Sequence, residues 1–208
     1  MWKRSAMLAA VLAGLSTTAI ADPAMEELLK PCSGCHGNDG VGSTGKTPYI
    51  NWQLPKYLYE SMIVFQQSGR ITAVPKHIPK DWTKEQVMKV AEHYGNNRAP
   101  RSRQPAEATK VARGEQVHLD RCASCHEDNG RATDTKGSGT PILAGQSADF
   151  LTAQSKMYLA GKRKFTSPQF KEAYDGLSEA DAEAASHFYA SQDVVPPPEE
   201  TGKKRKRR

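Results

Sequence analysis

The chain is short of cysteine. Its 208 residues contain four, and all of them fall in two short motifs, so none is left over for a disulfide framework. Long apolar runs are scarce too: the N-terminal stretch Ala6 to Leu15 falls well below the ~20 residues a membrane-spanning helix needs. No segment alternates apolar and polar residues for long enough to announce a sheet. No glycine-rich phosphate loop occurs, and no nucleophile stands with an ordered base. These absences exclude a disulfide scaffold, a β-rich domain and a nucleotide-binding or hydrolytic enzyme. The chain's chemistry has to come from the two cysteine motifs.

Both motifs have the same form, Cys32-Ser33-Gly34-Cys35-His36 and Cys122-Ala123-Ser124-Cys125-His126. A C-x-x-C-H sequence is the attachment signature of c-type haem. Two thiols three positions apart can both reach the vinyl groups of one porphyrin, which leaves the next side chain under the iron. Two covalently bound haems c are therefore expected, held by Cys32, Cys35, Cys122 and Cys125, with His36 and His126 as proximal ligands. The alternative is a structural zinc site of the C-x-x-C…C-x-x-C kind. The pairs stand 90 residues apart, much farther than is usual for zinc, and zinc gives no reason for a histidine after both pairs.

Lys3 and Arg4 precede the apolar stretch, and Ala19-Ile20-Ala21 follows it as an A-x-A site. This is the layout of a cleaved signal peptide, which predicts export to the periplasm. The formal net charge of +6 equals the charge of the last six residues, Lys203 to Arg208. The body of the mature chain is therefore slightly acidic. Pro196-Pro197-Pro198-Glu199-Glu200-Thr201-Gly202 leads into the basic run with nothing to bury, which predicts a disordered tail. Such a tail suits an anionic membrane surface or an acidic partner; nucleic acid is not expected in an exported protein.

Laying one motif over the other exposes a duplicated unit. Pro48-Tyr49-Ile50-Asn51-Trp52-Gln53 matches Pro141-Ile142-Leu143-Ala144-Gly145-Gln146 as P-x-[IL]-x-x-Q. A helical pattern follows each, with Leu58, Met62 and Phe65 on one face in the first copy and Leu151, Gln154, Met157 and Tyr158 in the second. A final helix opens at Thr83-Lys84-Glu85-Gln86 in one copy and at Ser178-Glu179-Ala180-Asp181 in the other. Tyr94 and Tyr189 close the copies, 95 residues apart. The expected organisation is a signal peptide over 1–21, domains over 22–96 and 107–194, a Pro/Arg/Asn-rich linker over 97–106 and the tail over 195–208.

This order of motifs resembles two tandem class I cytochrome c domains, as in dihaem cytochromes of the c4 type and the cytochrome subunit of flavocytochrome c sulfide dehydrogenase. The resemblance implies an all-α fold in which each domain wraps around one covalent haem. It also implies that the carbonyls of Pro48 and Pro141 accept a hydrogen bond from the ligand imidazoles. Such domains place a distal methionine about seven residues before the residue that precedes the last helix, and that methionine raises the haem potential. Here the count from Trp82 and Leu177 lands on Pro75 and Phe170, neither of which binds iron. His77, between Pro75 and Pro79, is the substitute ligand expected in the first copy. The second copy offers only Lys164 and Lys171, which must lose a proton before they can coordinate. Met62 and Met157 sit at core spacing, and His93, His118 and His187 read as structural.

The expected function is electron transfer between periplasmic redox proteins, as a shuttle or as the cytochrome subunit of an oxidoreductase, with a flavoprotein or a terminal oxidase among the partners. The alternative is a haem enzyme, a sulfur-compound dehydrogenase or a peroxidase-like protein, that uses an open or atypically ligated haem. The missing methionines favour the alternative; the lack of acid–base residues in either distal loop disfavours it.

Overall fold

The computed structural model describes residues 23–42, 45–70, 77–131 and 139–194. The expected signal peptide, the basic tail and Pro75 lie outside the described residues. The first copy contributes helices α1 (Pro23–His36), α2 (Pro55–Gln66) and α3 (Lys84–Asn96). The second contributes α4 (Ala108–Val117), a π-helical turn at His118–Cys122, the single turn α5 (Glu127–Gly130), α6 (Ala148–Leu159), α7 (Pro168–Tyr174) and α8 (Glu179–Ala190). Among the described residues extended pairing is confined to an isolated antiparallel bridge between Arg101 and Val194. No described helix is long and apolar enough to cross a membrane.

Several helices begin where a side chain satisfies their first amides. Thr83 and Gln86 form a reciprocal capping box at α3, and Ser178 accepts from the Asp181 amide at α8. Caps of this kind are worth about 1 kcal/mol each. Ser167 caps α7 through the Phe170 amide, with Pro168 in the first turn. That signal accounts for a helix where the sequence pattern alone suggests only a loop. The π turn is a second departure from the simple repeat: the Ala123 amide reaches back to the His118 carbonyl at 2.8 Å, widening the backbone just before the cysteine pair.

In each copy the first and last helices cross and bury a small core. Leu58, Val90, Ala91 and Tyr94 form one, with Leu28, Cys32, Met62 and Trp82 packed against it. Val117, Leu151, Ala185, Phe188 and Tyr189 form the other, joined by Val111, Cys122 and Leu177. The α4–α8 crossing depends on Gly114, because a Cβ there would stand 2.0 Å from the Ala184 carbonyl oxygen. Past each cysteine motif a glycine adopts a left-handed conformation under the closing tyrosine, Gly40 at φ 80° beneath Tyr94 and Gly130 at φ 85° beneath Tyr189. Their carbonyls receive matching pairs of amides, Ile50 and Asn51 in one copy and Leu143 and Ala144 in the other.

The segment expected as a linker is a packed strap. The Trp52 amide donates to the Asn97 carbonyl at 2.9 Å, and the Gln104 amide to the Ala190 carbonyl at 2.7 Å. Arg101 is 1% exposed and donates through Nη2 to the Asn51 carbonyl, while its backbone bridges Val194 in both directions at 2.9 Å. The strap thereby ties residues of the first copy to the end of the second.

Candidate haem sites

Helix α1 carries the first cysteine motif at its C-terminal end, where Cys32, Cys35 and His36 are three and four positions apart and share one face. No disulfide joins any of the four cysteines. Cys32 and Cys122 are half-buried against the two cores, whereas Cys35 and Cys125 are exposed. Burial pushes the Cys32 thiol up to about 11, and it raises Cys122 as well. Both inner thiols are therefore held protonated.

His36 Nδ1 lies 3.0 Å from the Pro48 carbonyl oxygen, and His126 Nδ1 lies 3.1 Å from that of Pro141. A carbonyl only accepts, so Nδ1 carries the proton in both rings and Nε2 keeps its lone pair. Burial holds the His36 imidazole below its ordinary value and brings His126 down to about 4. Each ring is thus neutral, oriented and ready to bind a metal through Nε2. The donor set fits a c-type haem: two cysteines outside any disulfide and one such imidazole per copy. Among the described residues no group of three or more His, Cys, Asp and Glu side chains gathers as a metal site.

Opposite His36 stands His77, with ring centres 6.2 Å apart. Two imidazoles that share one metal ion through bonds of about 2 Å each have ring centres roughly 6 Å apart, so the spacing suits a pair of axial ligands. The second copy is built differently. A register of 93 residues, the one that pairs Pro48 with Pro141 and Gln53 with Gln146, sets Phe170 against His77. Phe170 belongs to a cluster with Tyr158, Phe165 and Tyr174, whose ring centres lie 4.9–5.5 Å from one another. Lys171 is exposed and paired with Asp175 at 2.6 Å, and Met62 packs into the first core.

The three remaining histidines have structural partners. His93 Nε2 meets the Asn38 carbonyl at 3.1 Å, and His187 Nδ1 accepts from the Glu107 amide at 3.1 Å. His118 Nδ1 pairs with the Tyr189 hydroxyl at 2.9 Å.

Two sets of contacts between the copies were not assigned a role by the sequence. In the first, Arg70 lies over the Phe65 ring and Arg163 over the Tyr158 ring, at 4.6 and 4.5 Å from their centres. Both guanidinium groups donate to the Gln154 side-chain oxygen, at 2.6 and 2.9 Å. Burial works to raise the Tyr57 phenol, but the charges of Arg163 and Arg70 outweigh it and hold the group below its ordinary value. Arg163, which reads in sequence as part of a solvated basic turn, is thus a contact between copies. Equal spacing of Arg70 and Arg163 from an aromatic five residues earlier is the signal that could have found the pair.

The second set joins the motif glutamines. Gln53 Nε2 donates to the Ile142 carbonyl at 3.0 Å, and its Oε1 accepts from the Ile142 amide at 2.9 Å. Gln146 does the same to Tyr49, at 2.8 and 2.9 Å. Each glutamine of the repeated motif therefore closes on the residue that follows the other copy's proline.

No protein-family model matches the chain. The chain is similar to the cytochrome subunit of sulfide dehydrogenase from Chlorobaculum tepidum, 35% identical over 71 residues, which make up 34% of this chain and 64% of that protein. This chain thus spans less than two thirds of that relative's length. It is 26% identical over 176 residues to the thiosulfate dehydrogenase electron acceptor of Thiomonas intermedia, covering 79% of this chain and 80% of the relative. Reduced recombinant cytochrome c4 from Pseudomonas stutzeri superposes with a TM-score of 0.72 at 22% identity, over 81% of this chain and 97% of the other.

Proposed function

The fold is that of the dihaem class I cytochromes c, and from it we propose that the chain is an exported carrier of electrons between redox proteins, working beside a sulfur-oxidising dehydrogenase. The observation that carries this reading is the repeated pairing of an oriented imidazole with a proline carbonyl next to two cysteines outside any disulfide, at His36 and Pro48 and again at His126 and Pro141. The names of two relatives, an electron acceptor and a cytochrome subunit, support the same role. When bound, the haems supply one-electron exchange between Fe(II) and Fe(III).

In this reading Cys32 and Cys35 anchor the first haem and Cys122 and Cys125 the second. His36 and His126 are the proximal ligands, fixed in tautomer and direction by Pro48 and Pro141. His77 is the distal ligand of the first haem. Cys35 and Cys125 are exposed, and the haems they would help hold would supply the electron exchange with a docked protein. In this reading oxidation of a sulfur compound belongs to the partner dehydrogenase. Cleavage after Ala21 places the protein in the periplasm, and the basic tail docks on an acidic partner or an anionic membrane surface.

Stopped-flow reduction tests the reading. The oxidised holoprotein is mixed with sulfide or thiosulfate, with and without the matching dehydrogenase. Reduction of the haems that requires the dehydrogenase is the expected result. Reduction at the same rate by the sulfur compound alone would instead make the chain the enzyme.

A further inference from the structure

The peptide bond after each proline has two ends, and both are used. The Pro48 carbonyl faces His36 Nδ1 at 3.0 Å, while the amide of the same planar unit, that of Tyr49, donates to Gln146 Oε1 at 2.9 Å. The Pro141–Ile142 peptide repeats this, with its carbonyl on His126 Nδ1 at 3.1 Å and its amide on Gln53 Oε1 at 2.9 Å. A peptide unit is rigid and flat, so whatever fixes its amide also fixes the direction of its carbonyl. The glutamine that does so comes from the other copy in both cases.

The glutamines are themselves held. Gln53 and Gln146 are 5% and 4% exposed. Gln53 Oε1 also accepts from the Leu54 amide at 3.0 Å, and Gln146 Oε1 from the Ser147 amide at 3.1 Å. Each Nε2 closes the second half of its clasp on the carbonyl of residue 142 or 49. A hydrogen bond at one end of a peptide polarises the group at the other end, and burial strengthens the effect. An amide bonded to a glutamine oxygen makes its own carbonyl a better acceptor for the imidazole proton.

Resting on the reading of His36 and His126 as haem ligands, we propose that Gln53 and Gln146 are crossed positioning residues. Gln146 sets the hydrogen bond, and so the basicity, of His36 in the first copy; Gln53 sets that of His126 in the second. A stronger bond at Nδ1 makes an imidazole a better donor and favours Fe(III). Loss of the clasp therefore raises the potential of one haem, the one in the copy that does not carry the substitution.

The test uses the dihaem holoprotein with Gln146→Met and, separately, Gln53→Met, which keep length and remove both hydrogen bonds. Covalent haem is first counted by mass spectrometry. The potential of each haem is then followed by NMR, with haem methyl signals assigned through the β-protons of Cys35 and Cys125. Gln146→Met should favour reduction of the first haem about tenfold, an upward shift of about 59 mV for a one-electron couple, and leave the second within a small fraction of that. Gln53→Met should do the reverse. Gln146→Glu and Gln53→Glu keep the Oε1 acceptor, and each should show a smaller shift in the same, crossed haem; these variants carry the test if the methionine variants do not fold. Shifts in the haem of the substituted copy, equal shifts in both haems, or none would overturn the inference while leaving the haem reading intact. Wild-type protein without covalent haem would overturn both.

Discussion

His77 lies nearly flat on Phe65, with ring centres 4.8 Å apart and planes 26° apart. The stack limits the imidazole to a narrow range of positions across from His36 and excludes water from one of its faces. Burial and the neighbouring His36 and Arg70 hold its proton affinity below the ordinary histidine value, so the ring is neutral near pH 7 and its nitrogen lone pair is available. His77→Ala should convert the first haem to a high-spin or solvent-ligated state and leave the second unchanged. Electron paramagnetic resonance of the oxidised holoprotein reads this directly. An unaltered spectrum would make His77 a loop residue.

Mass spectrometry of exported material should find two haem additions on a chain that begins after Ala21. Cys122→Ala combined with Cys125→Ala should remove one of them, since both thiols of the first site lie on α1. Bound zinc in place of haem would contradict the assignment of all four cysteines.

Neither iron should have ordinary His/Met ligation. Phe170 occupies an aromatic cluster where the repeat calls for a sulfur donor, and Met62 is packed in the first core. The oxidised protein should therefore lack the weak near-infrared band of an iron–thioether bond. That band at full two-haem intensity would make Met62 and Met157 the ligands.

How much of this was legible in the chain differs between its parts. The cysteine motifs and the capping signals at Thr83 and Ser178 act locally, over three or four residues, and their spacing alone announces them; the roles of Pro48 and Pro141, 12 and 15 residues from their histidines, come from the family resemblance. His77 was found by its offset from Trp82, a local count as well. The roles of Gln53 and Gln146 are another matter. Their partners lie 89 and 97 residues away, and a glutamine's side chain does not say which peptide it will meet. The same holds for Arg163, whose contact with Gln154 reads locally but whose contact with Tyr57 spans 106 residues. The segment 97–106 has the composition of a linker, and only the burial of Arg101 reveals it as a packed strap.

Gly114→Ala should destabilise the second copy more than any alanine substitution on the exposed face of α4. The new methyl would overlap the backbone of α8 rather than a flexible side-chain tip, so the helices must separate. Overpacking of this kind costs about 1–3 kcal/mol. Chemical denaturation of the holoprotein, followed by circular dichroism, would show the loss; an unchanged midpoint would mean that the crossing can yield freely.

The reciprocal clasp obeys the rule of a two-fold dimer. Gln53 meets residue 142 and Gln146 meets residue 49, each pair being the other displaced by 93 positions. In a self-complementary interface, contact i–j implies contact j–i, and here one polypeptide satisfies it with its own two copies. The strap between Asn97 and Gln104 supplies the covalent join that an assembly of two separate chains would lack. Fusion frees the partners from having to be identical. One copy can keep an imidazole at 77 and the other a phenyl ring at 170 without disturbing the symmetric contact that holds them together.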